Sequence, residues 1–224
     1  MSAAAARRRA AWVQGLLAVF VVALALAARA YPGGNWGDLD AHGHDLWRNY
    51  WCDLMREHAV NGAPSPVSAA WAKLAFYALG AALLLFWPLA TRFVPGPLAR
   101  AVVLWVGRAG AVGVLLVPVF TYDDFREAHA VTATLAGAFS LVAIVTSLVA
   151  SWSAGCGAGP RLWGVLLALV VAVNIALYVP LALAGGGHDA RLPVAQKVGT
   201  VVALGWLAAT SRAAARHGGA RSHA

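Results

Sequence analysis

Apolar residues in this chain do not alternate with polar ones; they run in long unbroken blocks. Six such blocks stand at about 11–29, 69–90, 100–120, 129–150, 161–184 and 193–210. A half-buried strand would alternate, and a soluble helix would show one apolar stripe. A bilayer core instead requires about 20 consecutive apolar residues. Each block therefore predicts a membrane-spanning helix, the one local structure that satisfies its own backbone in lipid. The expected fold class is all-α, an integral membrane bundle of six transmembrane helices with a cap between helices one and two.

Punctuation along the chain agrees. Pro97, Pro160 and Pro193 fall at or just before block starts, where a missing N–H costs nothing. Pro88, Pro118 and Pro180 fall near block ends, where few helical hydrogen bonds remain. Asp124 and Glu127 have the spacing of a capping box at the start of the fourth block. Trp12, Trp71, Trp87, Trp152, Trp163, Tyr31, Tyr122 and Tyr178 lie near block ends, where interfacial aromatic belts are expected.

The charges orient the bundle. Arg7, Arg8, Arg9, Arg92, Arg100, Arg161, Arg212, Arg216 and Arg221 map to one side, and the positive-inside rule makes that side cytoplasmic. Arg108 lies in the third block, close enough to that side to snorkel. All nine acids, Asp38, Asp40, Asp45, Asp53, Glu57, Asp123, Asp124, Glu127 and Asp189, fall in loops of the opposite side. Both termini are then expected in the cytoplasm of a bacterial-type plasma membrane. The whole chain reads as one domain, 1–224, with an extracytoplasmic cap at 30–68 and a basic tail at 211–224. An N-terminal arginine cluster followed by an apolar stretch and Ala28-Arg29-Ala30 also resembles a signal peptide, but the stretch is longer than such a region needs. An uncleaved anchor is the expectation.

Composition changes the picture little. Of the 224 residues, 61% are hydrophobic and only 12% charged, too apolar a chain to bury in its own core. The net charge of +8 meets anionic headgroups through the tail rather than nucleic acid, for which no basic reader is present. Membrane lipids are the expected partners, together with a second copy of the chain as a homo-oligomer.

Candidate chemistry gathers in the loops. The cap carries turn signals at Pro32-Gly33-Gly34, Asn61-Gly62 and Pro64-Ser65-Pro66, and 44–58 reads as a short helix with Leu46, Tyr50 and Leu54 on one face. His42, His44, His58, His129 and His188 each stand near a carboxylate. Were the loops to converge, His44, His129, His188 and Asp189 would be candidate ligands for a catalytic zinc, although no ligand spacing such as HExxH is present. Cys52 and Cys156 fall on opposite sides and cannot pair; catalysis from Cys52 would need a base, for which His58 is the nearest in sequence. Lys73 and Lys197 stand within the first turns of their blocks and are expected to reach the interface. Asn174 reads as interhelical glue, and Gly107, Gly110 and Gly113 as a smooth face for close helix approach. The Gly155–Pro160 stretch reads as a flexible turn.

Three short stretches carry a resemblance. Asn49-Tyr50-Trp51-Cys52-Asp53-Leu54, Asp123 to His129, and Pro193-Val194-Ala195-Gln196-Lys197 resemble recurrent spots of the uncharacterised prokaryotic branch of the Frag/DRAM/Sfk-type six-transmembrane family, a domain of unknown function. Cys52 stands where that group has a small hydroxyl residue, and Lys197 where arginine is commoner. The resemblance implies a six-helix bundle with a packed outer cap, and relatives linked with lipid handling and membrane organisation. The alkaline ceramidase and progestin-receptor group is set aside: it uses seven spans and a Ser-x-x-x-His pair that this chain lacks. The expected function is thus a multi-pass membrane protein that binds lipid or organises membrane, with Asn49, Asp53, Asp124 and His129 as an outer polar network. The alternative is an extracytoplasmic metal-dependent lipid hydrolase, the one reading under which zinc is expected as cofactor.

Overall fold

The computed structural model describes residues 1–152, 157–184 and 189–216. Six helices carry the chain: α1 (Ala3–Ala30), α2 (Pro66–Ala90), α3 (Pro97–Leu116), α4 (Arg126–Ser151), α5 (Ala158–Leu183) and α6 (Arg191–Arg216). All six are long and apolar enough to cross a membrane. They exceed the expected blocks by a few residues at most ends, because polar and proline residues extend a first turn without loss. Pro66 and Pro97 each occupy the first turn of their helix, and Ser2 caps α1 by accepting from the Ala5 N–H at 3.2 Å.

Each helix packs on its sequence neighbours, and α6 returns to α1, so the six form a closed ring. Valines and leucines such as Val22, Val131, Leu169 and Val201 cover the outside, as a lipid-facing surface requires. Arg92 donates to the Met1 carbonyl, and Gln14 donates to Ser211 at 2.6 Å, so the N-terminus and the last turns of α6 lie at one end of the ring. The segment between α1 and α2 covers the other. It consists of a hairpin, β1 (Gly33–Asn35) with β2 (Asp38–His42), and a 3-10 turn at Trp51–Met55. The expected helix over 44–58 is reduced to that turn: Leu46 is exposed, and Leu54 and Met55, flanked by Trp51 and Cys52, plug the bundle.

The glycine face of α3 packs as expected. A Cβ on Gly107 would stand 2.3 Å from the Trp87 ring, on Gly110 2.6 Å from Ser140 Oγ, and on Gly113 2.7 Å from Ala136. That contact also corrects the belt: Trp87 is 1% exposed and lies inside the bundle, with the Phe86 ring centroid 5.3 Å from its own and 4.8 Å from that of Trp206. Trp163 packs against the same core and Tyr31 is buried under the cap, whereas Trp12, Trp71 and Trp152 do face outward. The capping box at Asp124 is not formed either. Phe125 precedes the first turn of α4, and Asp124 instead accepts from Thr121 Oγ1 at 2.6 Å. Asn174 joins α5 to α6 by donating to the Ala195 carbonyl at 3.2 Å. Cys156, His188, Gly155 and the tail beyond Arg216 lie outside the described residues.

Candidate functional site beneath the cap

The cap is built from the hairpin inward. Gly33 and Gly34 have φ of 150° and 79°, and a Cβ on Gly34 would meet the Asn61 backbone at 2.4 Å, so the strand can lie against that loop only as glycine. Asn35, fully buried, closes the hairpin turn by accepting from the Gly37 and Asp38 N–H groups, both at 2.9 Å. This turn aims Trp36 inward, where its indole N–H reaches the Asp53 carboxylate at 3.2 Å. The Tyr50 N–H donates to the same carboxylate at 2.8 Å and the Asn49 amide at 3.3 Å. Asn49 is itself fixed, accepting from the Asp45 N–H and donating to the Gly34 carbonyl, each at 2.9 Å. Burial pushes the Asp53 carboxyl up, opposed by these three donors and by the charge of Arg56.

Three elements bolt this cap to the ring. Arg56 pairs with Asp123 of the α3–α4 loop at 2.8 Å, its guanidinium held near the Trp36 and Tyr122 rings. Gln196 of α6 accepts from the Trp51 N–H at 3.2 Å, and Thr200 accepts from the Trp51 indole at 2.9 Å. The Tyr50 hydroxyl, which burial pushes up to about 12, donates to the Asp189 carbonyl at 3.4 Å. The three loops that carry the acids therefore converge at the capped end.

Lys197 departs from expectation. It is 5% exposed, donates to the Asn49 carbonyl and lies 4.3 Å from the Trp51 ring centroid, so the cap covers the ammonium instead of letting it reach the interface. His44 stacks on that same Trp51 ring, and its Nε2 is buried with no hydrogen-bond partner among the described residues. Burial, then the Lys197 charge, lowers the His44 pKa to about 4. Lys73 pairs with Glu57 at 2.7 Å.

Below the cap the ring is hollow. A cavity of about 410 Å³ runs from Trp36, Tyr50 and Asp53 at the cap to Phe20, Leu79 and Leu167 deep among the helices. Phe20 lies ten residues below the capped end of α1, a depth of about 15 Å at the helical rise of 1.5 Å per residue. The deep wall is apolar; the mouth carries Cys52, His129, Asn174, Tyr178 and Gln196.

Two of these mouth residues form a pair. His129, 5% exposed on the first turn of α4, stands within reach of the Cys52 side chain, and its Nδ1 lies 2.7 Å from the Phe120 carbonyl. A carbonyl can only accept, so Nδ1 carries the proton and Nε2 is the nitrogen available to the thiol. His58 is not the partner: it is exposed and bridges to Pro64 at the edge of the cap.

Of the four residues expected to form an outer network, Asn49 and Asp53 touch directly. His129 joins the same cavity through Cys52, and Asp124 is exposed and takes no part. Of the zinc candidates, His188 lies outside the described residues, and the other three do not come together. His44 stacks on Trp51, His129 faces Cys52, and Asp189 pairs with Arg191 at 2.6 Å; among the described residues no three His, Cys, Asp or Glu lie together as a metal would need. Comparison with family models, curated proteins and solved structures returns no match.

The cavity joins an apolar channel to a polar rim, and so suits a molecule with a chain and a head. Sequence reading missed Trp36, Gln196 and Tyr178, as well as the pairing of Cys52 with His129. Cys52 stood beside Asp53 as a visible signal, but its partner comes from a distant helix and only the fold supplies it.

Proposed function

We propose that this chain is a multi-pass plasma-membrane protein that binds an acyl lipid, entering its cavity from the outer leaflet. The cap faces the exterior and both termini face the cytoplasm, in keeping with arginines clustered at the terminal end and carboxylates at the capped end. The single observation that supports lipid binding best is the two-toned cavity. Its volume falls in the range of about 300–1,000 Å³ typical of small-molecule sites, and its apolar depth ends in a polar rim. An alkyl chain would lie against Phe20, Leu79 and Leu167 while its head meets Gln196, Asn174 and Tyr178. The cap, pinned to α6 and to the α3–α4 loop, closes the space above it.

Gly137 provides the test. It lines the cavity, and a Cβ there would meet nothing nearer than Ile175 Cγ1 at 4.0 Å. Gly137→Phe fills the space without displacing backbone. Native mass spectrometry of the protein released from mild detergent should show retained acyl lipid in the parent chain and its loss in the variant. An unchanged lipid complement in a folded Gly137→Phe protein would remove the cavity as the binding site.

A further inference from the structure

Cys52 and His129 have more than proximity. The thiol lies at the mouth of an apolar cavity, and a buried imidazole lines the same mouth within reach of it. That imidazole is held in one tautomer by a backbone carbonyl 2.7 Å from Nδ1. A nucleophile, a base and a third group orienting the base is the recurring arrangement of covalent catalysis. Two further groups face the same space. Tyr178 lines the cavity, and no hydrogen bond engages its hydroxyl among the described residues. Gln196 lines the cavity and uses its oxygen to accept from Trp51, which leaves its amide N–H groups as donors. Both are donors of the kind that stabilise a tetrahedral oxyanion.

We propose that Cys52 and His129 form a metal-independent nucleophile–base pair that cleaves an acyl ester through a thioester on Cys52 Sγ. The inference rests on the lipid-binding reading, since the cavity is what would hold the acyl chain. In the first step His129 Nε2 takes the thiol proton as Sγ attacks the ester carbonyl carbon. The C–S bond forms, the tetrahedral oxyanion collapses, the C–O bond to the alcohol breaks, and His129 returns the proton to the departing alcohol. In the second step water attacks the thioester while His129 takes one of its protons. The new C–O bond forms, the C–S bond breaks and the thiolate is reprotonated, leaving a free carboxylic acid. The net reaction is ester plus water to acid plus alcohol.

The test uses the full-length chain in lipid nanodiscs, with Cys156→Ala so that Cys52 is the sole cysteine, and the p-nitrophenyl ester of a long alkynyl fatty acid as the probe. Expected are a stoichiometric burst of p-nitrophenol and an alkyne label on Cys52 that hydroxylamine removes. Cys52→Ala should abolish the label, and His129→Gln should slow its appearance at least about 100-fold, the smaller end of general-base effects. His129→Asn, checked by thermal melting, guards against a folding defect in the first histidine variant. Native mass spectrometry of the same samples separates the two readings. Retained acyl lipid with no acyl-Cys52, or equal labelling rates in folded parent and histidine variants, would overturn the nucleophile–base pair and leave lipid binding standing. Loss of both signals would overturn both.

Discussion

The two ends of this bundle are made from the same six helices and are packed in opposite ways. At the terminal end, tryptophans are matched to glycines: Trp87 against Gly107, Trp206 against Gly164, Trp163 against Gly205. Large rings fill the axis and the glycines let the helices close around them. At the capped end small residues, Ala72, Ala75, Ala133, Gly137 and Gly199, lie among the interior ones, and aromatic residues such as Phe20 and Tyr178 line a hollow instead of filling it. Closing that end falls to the cap, which brings carboxylates, amides and a lysine over the hollow. One half of the ring is filled to hold the helices together; the other is left open and covered, which is how a helical membrane protein gains an interior site.

The comparison breaks most readily at its filled end. Trp206, 3% exposed and in contact with Phe86 and Trp87, should lose about 3–5 kcal/mol on Trp206→Ala, read by thermal or denaturant unfolding in micelles. Gly107→Ala, which presses a methyl into the Trp87 ring, should cost about 1–3 kcal/mol there. Leu204→Ala, which only enlarges an existing space, should cost about 2 kcal/mol or less. Equal losses from Trp206→Ala and Leu204→Ala would mean the two halves are not packed differently.

The capped end should also fail first in acid. The pKa of His44 is depressed to about 4 by burial, below the 6.5 of an unfolded histidine. Its contribution to stability is therefore complete above pH 6.5 and is lost as pH falls toward 4, a change of up to about 3 kcal/mol. Asp53 works with the opposite sign. Its pKa is raised, so the folded state takes up the proton sooner, and acid favours it over the range between its unfolded and folded values. The melting temperature in micelles should drop between pH 7 and pH 4.5, and His44→Phe, which keeps a ring on Trp51, should flatten that drop. A His44→Phe protein with an undiminished acid limb would assign the effect elsewhere.

Asp53→Asn sharpens the same region from within. The carboxylate accepts from Trp36, Asn49 and the Tyr50 N–H, and an amide group in its place turns one acceptor into a donor facing donors. The expected loss is about 1–3 kcal/mol in unfolding, with weaker retention of bound acyl lipid because the cap seats the cavity mouth. A variant as stable as the parent and equally lipid-loaded would show that the carboxylate is incidental to the cap.

How far the chain announces these features differs between the halves as well. The spans were legible because lipid imposes a simple rule on length and hydropathy, and the glycine face of α3 because close approach has no other residue to use. The convergence of the acidic loops followed from counting spans. What could not be read was burial direction. Nothing local tells Trp87 inside from Trp152 outside, and Lys197 looked like a residue able to reach water until the cap was seen to lie over it. The Cys52–His129 pair required knowing that the turn after the hairpin and the start of α4 share one cavity.

The smallest effect is the most discriminating, because its sign rather than its size carries the result. Gly137 is a helical glycine with open space where its side chain would be, so Gly137→Ala adds helix propensity worth about 1 kcal/mol and meets no neighbour closer than ordinary contact. The same substitution at Gly107 destabilises. If the interior under the cap is hollow in the membrane, Gly137→Ala should raise the melting temperature of the lipid-free protein by a few degrees. A methyl group is too small to exclude an acyl chain, so lipid retention should be nearly unchanged. A destabilised Gly137→Ala protein would mean that helices α4 and α5 close on each other there, and the contrast between a filled and a hollow half would fail at the residue chosen to display it.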